Sequence, residues 1–472
     1  MTSEKLPQGC VMTLAIIFLA ALIDGLDVSI VTVSLPTMAE DFGISPSQSS
    51  WIVFAYVVGL AAMLLPLGKF AKNGRVKRFM ILGTALFGIS SFVCGVSHDF
   101  WMLIAFRLVQ GISAAMMSSV LPSMVVHMLP ADRKGLGMSV MGASSGLALI
   151  LGPVLGGVIT EHMHWGWLFF INVPICLIIV ILASGHMPKD KDSDPEKDPT
   201  LLGGVSAMLL IGSLLVIMED LGDPDINAIG RAICAMIIVI SSILLTYSVR
   251  RDSRRAVISP KILRNREYIT VGCSFLLCTI VVAGAEFLLP YMLQGYWHMS
   301  PFESGMYLAA SSVAMMLTVM PVGRMCDRFG CKWPSAAAAV FRGAFCILMV
   351  IMITQDTDPI LLLIPMAVFG ASHAFSGTAQ PTRMIHHSTP GYEDESTNFM
   401  LVVNYVASAL GCVIFAMIFS LYSPGNMDTL GMDALRTGFV PAMWFSVIIL
   451  FIALVCTVSV RNIIVKKDGT KE

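Results

Sequence analysis

Fourteen apolar runs, each close to 20 residues long, follow one another along this chain with only short polar connectors between them. They begin near Val11, Gln48, Phe79, Trp101, Gly137, Leu168, Leu201, Ile226, Tyr268, Gly305, Pro334, Pro359, Asn398 and Gly438. A bilayer core about 30 Å thick takes about 20 helical residues to cross. Inside it every backbone polar group must be satisfied within its own segment, so runs of this length fold as helices. Charged residues make up only 13% of the chain, against roughly a quarter in soluble domains, so lipid is the solvent for most side chains. The fold class is therefore an all-α integral membrane protein. A formal net charge of -1 offers no basic surface for nucleic acid. No phosphate-binding loop, no metal cluster and no paired nucleophile and base stand out, so no cofactor is expected and enzymatic chemistry is the least favoured class. The first run lacks a small-residue cleavage site and reads as a retained helix rather than a signal peptide.

Lysine and arginine sort onto alternate connectors. With the N-terminus inside, all 30 except Arg107, Arg231, Arg342 and Arg436 fall on the inner side. This bias is the positive-inside pattern of an even number of crossings with both termini cytoplasmic. Trp51, Trp101, Trp165, Trp167, Trp297 and Trp444 fall at outer helix ends, as an aromatic belt requires.

The second and tenth runs are followed by similar glycine-bounded basic loops, GKFAKNGRVKR (residues 68–78) and GRMCDRFGCKW (residues 323–333). The chain thus reads as an N-terminal six-helix half (1–187), a segment with two inserted helices and a basic loop (188–267), and a C-terminal six-helix half (268–472). Two similar membrane halves are the architecture of a transporter, with the substrate site between them near the midplane.

Several short stretches carry a family resemblance. Gly323, Asp327, Arg328 and Gly330 match the signature loop of the major facilitator superfamily, and LDVSIVTVSLP (26–36) resembles the first-helix motif of its fourteen-helix group. Arg107 with Gln110 and Gly111 resembles the fourth-helix motif. Gly152, Pro153, Gly156 and Gly157 resemble the fifth-helix motif associated with antiporters. WGWLFFINVP (165–174) and LPYMLQGYWHMSPFESG (289–305) also resemble stretches of that group. Over nearly its whole length the chain therefore resembles the fourteen-helix drug:proton antiporter family. Two departures stand out: Lys72 occupies the place of the signature aspartate in the N-terminal loop, and Gly166 that of an arginine between two tryptophans.

Ionisable groups at membrane depth cost about 2.5 to 3.5 kcal/mol each on insertion scales and face a cavity or a partner. Here they are Asp24, Asp27, Arg107, Glu286 and Arg342. Asp24 and Asp27 share a helix face, and two acids so close resist ionising together, which suits a proton carrier. The resemblance assigns a role to Asp27 alone; Asp24 is an addition that can equally be a satisfied acid. Glu286 falls at the related place in the second half, facing the same cavity. The resemblance implies that Arg107 assists proton movement, whereas Arg342 matches no motif and is expected in a structural ion pair. His373 stands among the histidines that can take part in proton movement. The glycines of the fifth helix, with Pro153, let it bend and pack closely. Asp327 and Arg328 are expected to hold the inner surface together in the outward-facing state. The resemblance implies a proton-coupled exporter of lipophilic, cationic compounds in the cell membrane, expected as a monomer. An exporter of an endogenous metabolite, siderophore or amino acid shares all these features, and a non-transporting membrane sensor is a third reading.

Overall fold

The computed structural model describes residues 8–72, 74–130, 133–190, 201–220, 228–251, 260–355, 357–389, 392–423 and 432–463, and their regular elements are all helical. The first half comprises α1 (Gln8–Phe42), α2 (Pro46–Lys72), α3 (Val76–Gly95), α4 (Phe100–Met128), α5 (Lys134–His162), and one crossing split by a turn into α6 (Trp167–Phe170) and α7 (Asn172–His186). Then come α8 (Leu201–Asp220), α9 (Ala228–Arg251) and the short α10 (Pro260–Leu263). The second half is α11 (Arg266–Tyr291), α12 (Pro301–Phe329), α13 (Lys332–Thr354), α14 (Leu363–His386), α15 (Glu393–Tyr422) and α16 (Met432–Ser459). Thirteen crossings among the described residues are long and apolar enough to span a bilayer. The fourteenth is α8, whose 20 residues extend about 30 Å as a helix. Ile226, where the eighth run begins, and most of the acidic connector before α8 lie outside the described residues.

The two halves repeat one packing plan. In the first, α1 packs on α5, α2 on α4, and α3 on α4 and α7; in the second, α11 packs on α15, α12 on α14, and α13 on α14 and α16. Two further pairings, α5 with α12 and α2 with α15, join the halves, and α8 lies against both α2 and α15. The architecture is two six-helix halves with two inserted helices, as the sequence resemblance implies.

Local chemistry fixes the helix ends that shape the site. Ser300 and Glu303 form a capping box at the start of α12: Glu303 N donates to Ser300 Oγ at 3.2 Å and Ser300 N to Glu303 Oε2 at 2.9 Å, with Pro301 at the first helical position. Pro290 ends regular hydrogen bonding in α11, and a π turn (Met292–Tyr296) follows, aiming Gln294 toward α1. Each signature loop is clipped to the end of the last helix of its half. In the second half Gly330 closes α12 at φ 76°, where a Cβ would collide with Asn462 beyond α16, and Asn462 donates to Phe329 O at 2.8 Å. In the first half Asp190, just past α7, accepts from Lys77 N at 2.8 Å and Arg78 N at 3.1 Å. A carboxylate from elsewhere in the chain thus satisfies the free amides and dipole of α3, in a loop whose own position 72 is lysine. Asp190→Ala is expected to cost about 1 kcal/mol, read as a lower thermal-unfolding midpoint in detergent; an unchanged midpoint would show the cap to be idle.

Candidate functional site

Asp27 sits in the middle of α1 with no solvent exposure, and two helices bring three donors to it. Arg107 Nη1 of α4 reaches Oδ2 at 2.5 Å, while Gln110 Nε2 of α4 and Asn172 Nδ2 of α7 both reach Oδ1 at 2.8 Å. The arginine is itself held, since its Nε donates to Ile52 O of α2 at 2.8 Å and Nη1 also to Gln110 Oε1 at 2.8 Å. Its guanidinium lies over the Tyr56 ring at 4.6 Å and the Phe169 ring at 5.7 Å, and Gln110 Nε2 continues to Ser91 Oγ of α3 at 2.8 Å. A buried ion pair is favoured by further hydrogen bonds of this kind, and here only Arg107 Nη2 lacks a hydrogen-bond partner among the described residues. The network therefore ties α1, α2, α3, α4 and α7 together around one negative and one positive charge.

Asp24, one turn earlier on α1, has different surroundings. It is half-buried, and its oxygens accept from neutral hydroxyls, Tyr56 OH at 2.9 Å and Ser118 Oγ at 2.9 Å. No cation is bonded to Asp24 among the described residues. The two acids that share a face in the sequence are thus divided: Asp27 is paired with an arginine inside the bundle, and Asp24 is held by neutral hydroxyls.

Glu286 of α11 is 41% exposed at its side chain, with His373 Nδ1 of α14 at 3.8 Å. Arg342 departs from expectation. It is fully buried and pairs with no carboxylate; Nη1 donates to Cys278 O at 3.0 Å and Nη2 to Ser376 Oγ at 2.9 Å. The turn of α11 that carries Cys278 offers a carbonyl closer than any acid, which is why the expected ion pair does not form.

The fifth-helix residues lie at a close crossing on both sides of α5. A Cβ on Gly152 or Gly156 would strike Ser29 and the Ile30 backbone of α1, and one on Gly157 the Pro301 backbone of α12. Gly305 of α12 meets the Pro153 carbonyl in the same way. Around this crossing the halves are stitched by Ser312 Oγ to Leu149 O at 2.8 Å, Phe302 N to Glu161 Oε2 at 3.0 Å, Gln294 Nε2 to Val33 O at 2.8 Å, and a bond between Ser49 and Tyr291 hydroxyls. Three of them lie toward the membrane side remote from the chain termini, and the Ser312 to Leu149 bond lies near the middle of α12 and α5. On the terminal side Gly323 has open space where a Cβ would be, and Asp327 and Arg328 are exposed and form no ion pair with a described residue.

Gln110 and Asn172 belong to stretches whose pattern was legible, although the pattern assigned them no role. Tyr56 and Ser118 carry no signal beyond being polar on apolar helices.

Two like six-helix halves, sealed at one membrane face and holding carboxylates at midmembrane between them, define a transporter. The chain matches the Major Facilitator Superfamily model over residues 17–411 and again over 271–471, and it belongs to that superfamily. It is 27% identical over 412 residues to the riboflavin transporter RibZ of Clostridioides difficile, covering 87% of this chain and 88% of that one. It is 31% identical over 342 residues to the multidrug export protein EmrB of Haemophilus influenzae, covering 70% of this chain and 65% of EmrB. Methyl viologen resistance protein SmvA of Salmonella typhimurium matches at 25% over 415 residues, 87% of this chain and 82% of SmvA. The fold is similar to an inward-facing, occupied bacterial homologue of the human lysosomal transporter Spinster, with a TM-score of 0.69 at 13% identity over 97% of both chains. It is also similar to a POT family transporter, with a TM-score of 0.70 at 10% identity over 96% of both.

Proposed function

We propose that this transporter is a proton-coupled multidrug antiporter of the cell membrane, with both termini cytoplasmic, which exports lipophilic cations by alternating access. The observation that carries this reading is the unequal treatment of the two acids on α1. A carboxylate held only by neutral donors attracts a cation. One locked to an arginine can change protonation only if the network around it rearranges. In the state described, the seal lies on the outer side, and a cation entering from the cytoplasm meets Asp24, framed by Tyr56 and Ser118. Proton loss on the cytoplasmic side accompanies that arrival. Opening of the Gly157 to Gly305 crossing, with closure at Gly323, Asp327, Arg328 and Gly330, presents the cation outside, where protons replace it. The names of EmrB and SmvA support export of drugs and of a cation. The halves 1–187 and 268–472 are the proposed moving bodies, with 188–267 between them, and the working unit is a monomer.

The RibZ match over most of both chains favours a second reading, export of an uncharged metabolite. One experiment separates the two. Asp24→Asn is expected to weaken tetraphenylphosphonium binding roughly tenfold, corresponding to about 1.4 kcal/mol of lost charge attraction, with riboflavin not bound by either form. Riboflavin binding that is indifferent to the substitution, with no cation binding in the wild type, would establish the metabolite reading instead.

A further inference from the structure

We infer that Glu286 and His373 form a second coupling unit in the C-terminal half, holding one exchangeable proton between them, so that two protons leave for each cationic substrate, one per half. The inference rests on the antiport reading above and adds to it a residue, a stoichiometry and a place.

The two halves handle their acid differently. On α1 the acid is bonded directly to arginine and has no exposure. On α11 the acid is 41% exposed and its partner is an imidazole, itself 29% exposed, at 3.8 Å. That separation is longer than a hydrogen bond but within reach of a single bridging water, and both groups open onto the space that substrate and water must enter. An imidazole beside a carboxylate can share a proton in the physiological range, which an arginine cannot.

The imidazole is also held in place. Ser376, one turn along α14, accepts from Arg342 Nη2 at 2.9 Å and donates to the His373 carbonyl at 3.2 Å, so a fully buried guanidinium braces the turn that carries the ring. The Phe369 ring lies edge-on to it at 6.4 Å. Arg342 from α13 is the fixed positive charge that acts on both members of the pair, and the Cys412 thiol from α15 lies against α11 one turn before Glu286, its Sγ 3.9 Å from the Ala283 carbonyl. Among the described residues Arg342 bonds the Cys278 carbonyl and the Ser376 hydroxyl but no carboxylate, so no bonded acid cancels that charge. A cation arriving beside Glu286 adds a second positive charge to the same space and drives the shared proton off. The proton leaves from the exposed imidazole or carboxyl to cytoplasmic water, and only an N–H or O–H bond is broken.

Proton release is counted on purified protein in weakly buffered detergent with a pH indicator, using tetraphenylphosphonium as the probe and measuring its binding on the same samples. Wild type is expected to release two protons per cation bound. His373→Gln, Glu286→Gln and their combination are each expected to release one, because the pair acts as a unit; His373→Asn serves if the glutamine form does not bind the probe. Two protons from both histidine variants would reduce His373 to a structural residue and overturn the proposal. A single proton from wild type overturns it while leaving antiport intact. No release from wild type removes the antiport reading and this one together.

Discussion

Asp27→Asn is expected to abolish export driven by a pH gradient while the protein still reaches the membrane and still binds its substrate. The carboxylate accepts from Arg107, Gln110 and Asn172 at once, and an amide of the same shape presents N–H groups to at least one of those donors. Arg107 keeps its charge whatever the pH, so the variant also leaves a buried guanidinium without a counter-ion, a change that costs about 3 to 5 kcal/mol in buried pairs. The expected readout is loss of ethidium efflux in everted vesicles with binding retained in detergent. Adding Arg107→Gln should recover protein yield by removing the stranded charge, but not transport. Ethidium efflux at the wild-type rate in Asp27→Asn would remove this acid from the coupling scheme.

Gly305→Leu acts on the seal rather than on the charge. No side chain fits between Gly305 and the Pro153 carbonyl, and Gly157 is equally tight against Pro301, so α5 and α12 must separate on the remote side. The variant is expected to lose turnover and to exchange amide hydrogens faster in residues 149–162 and 301–312, with the Asp27 network still protected. Normal transport and unchanged exchange there would mean that the crossing is not a gate.

The physics of the bilayer made the crossings easy to read, because a length near 20 residues and the distribution of basic connectors need no tertiary information. The partnership of Asp27 with Arg107 was half-legible: motifs named both residues, yet Asn172 joins them from a helix far along the chain. Arg342 shows where sequence stops. An acid at a related position suggested an ion pair, but backbone carbonyls compete for guanidinium donors, and only the packing of α11 against its neighbours decides between them. Asp190 is a similar case. Its role as a cap for α3 depends on α7 ending beside that helix, which no local pattern encodes. The hydroxyls of Tyr56 and Ser118 that hold Asp24 remained hidden because serine and tyrosine are common on membrane helices and acquire meaning only from what lies opposite.

The closure between the halves has an energetic scale that bears on how fast such a machine can run. Four hydrogen bonds hold it among the described residues, each worth a net of about 0.5 to 1.5 kcal/mol, beside glycine contacts that add only dispersion. An elementary charge crossing a membrane at 100 mV delivers about 2.3 kcal/mol. The lock and the driving force are therefore of one magnitude. On the antiport reading, small residues at the crossing would keep the lock weak enough for one or two protons to open, and a bulkier, better-packed joint would leave the gradient unable to turn the protein over.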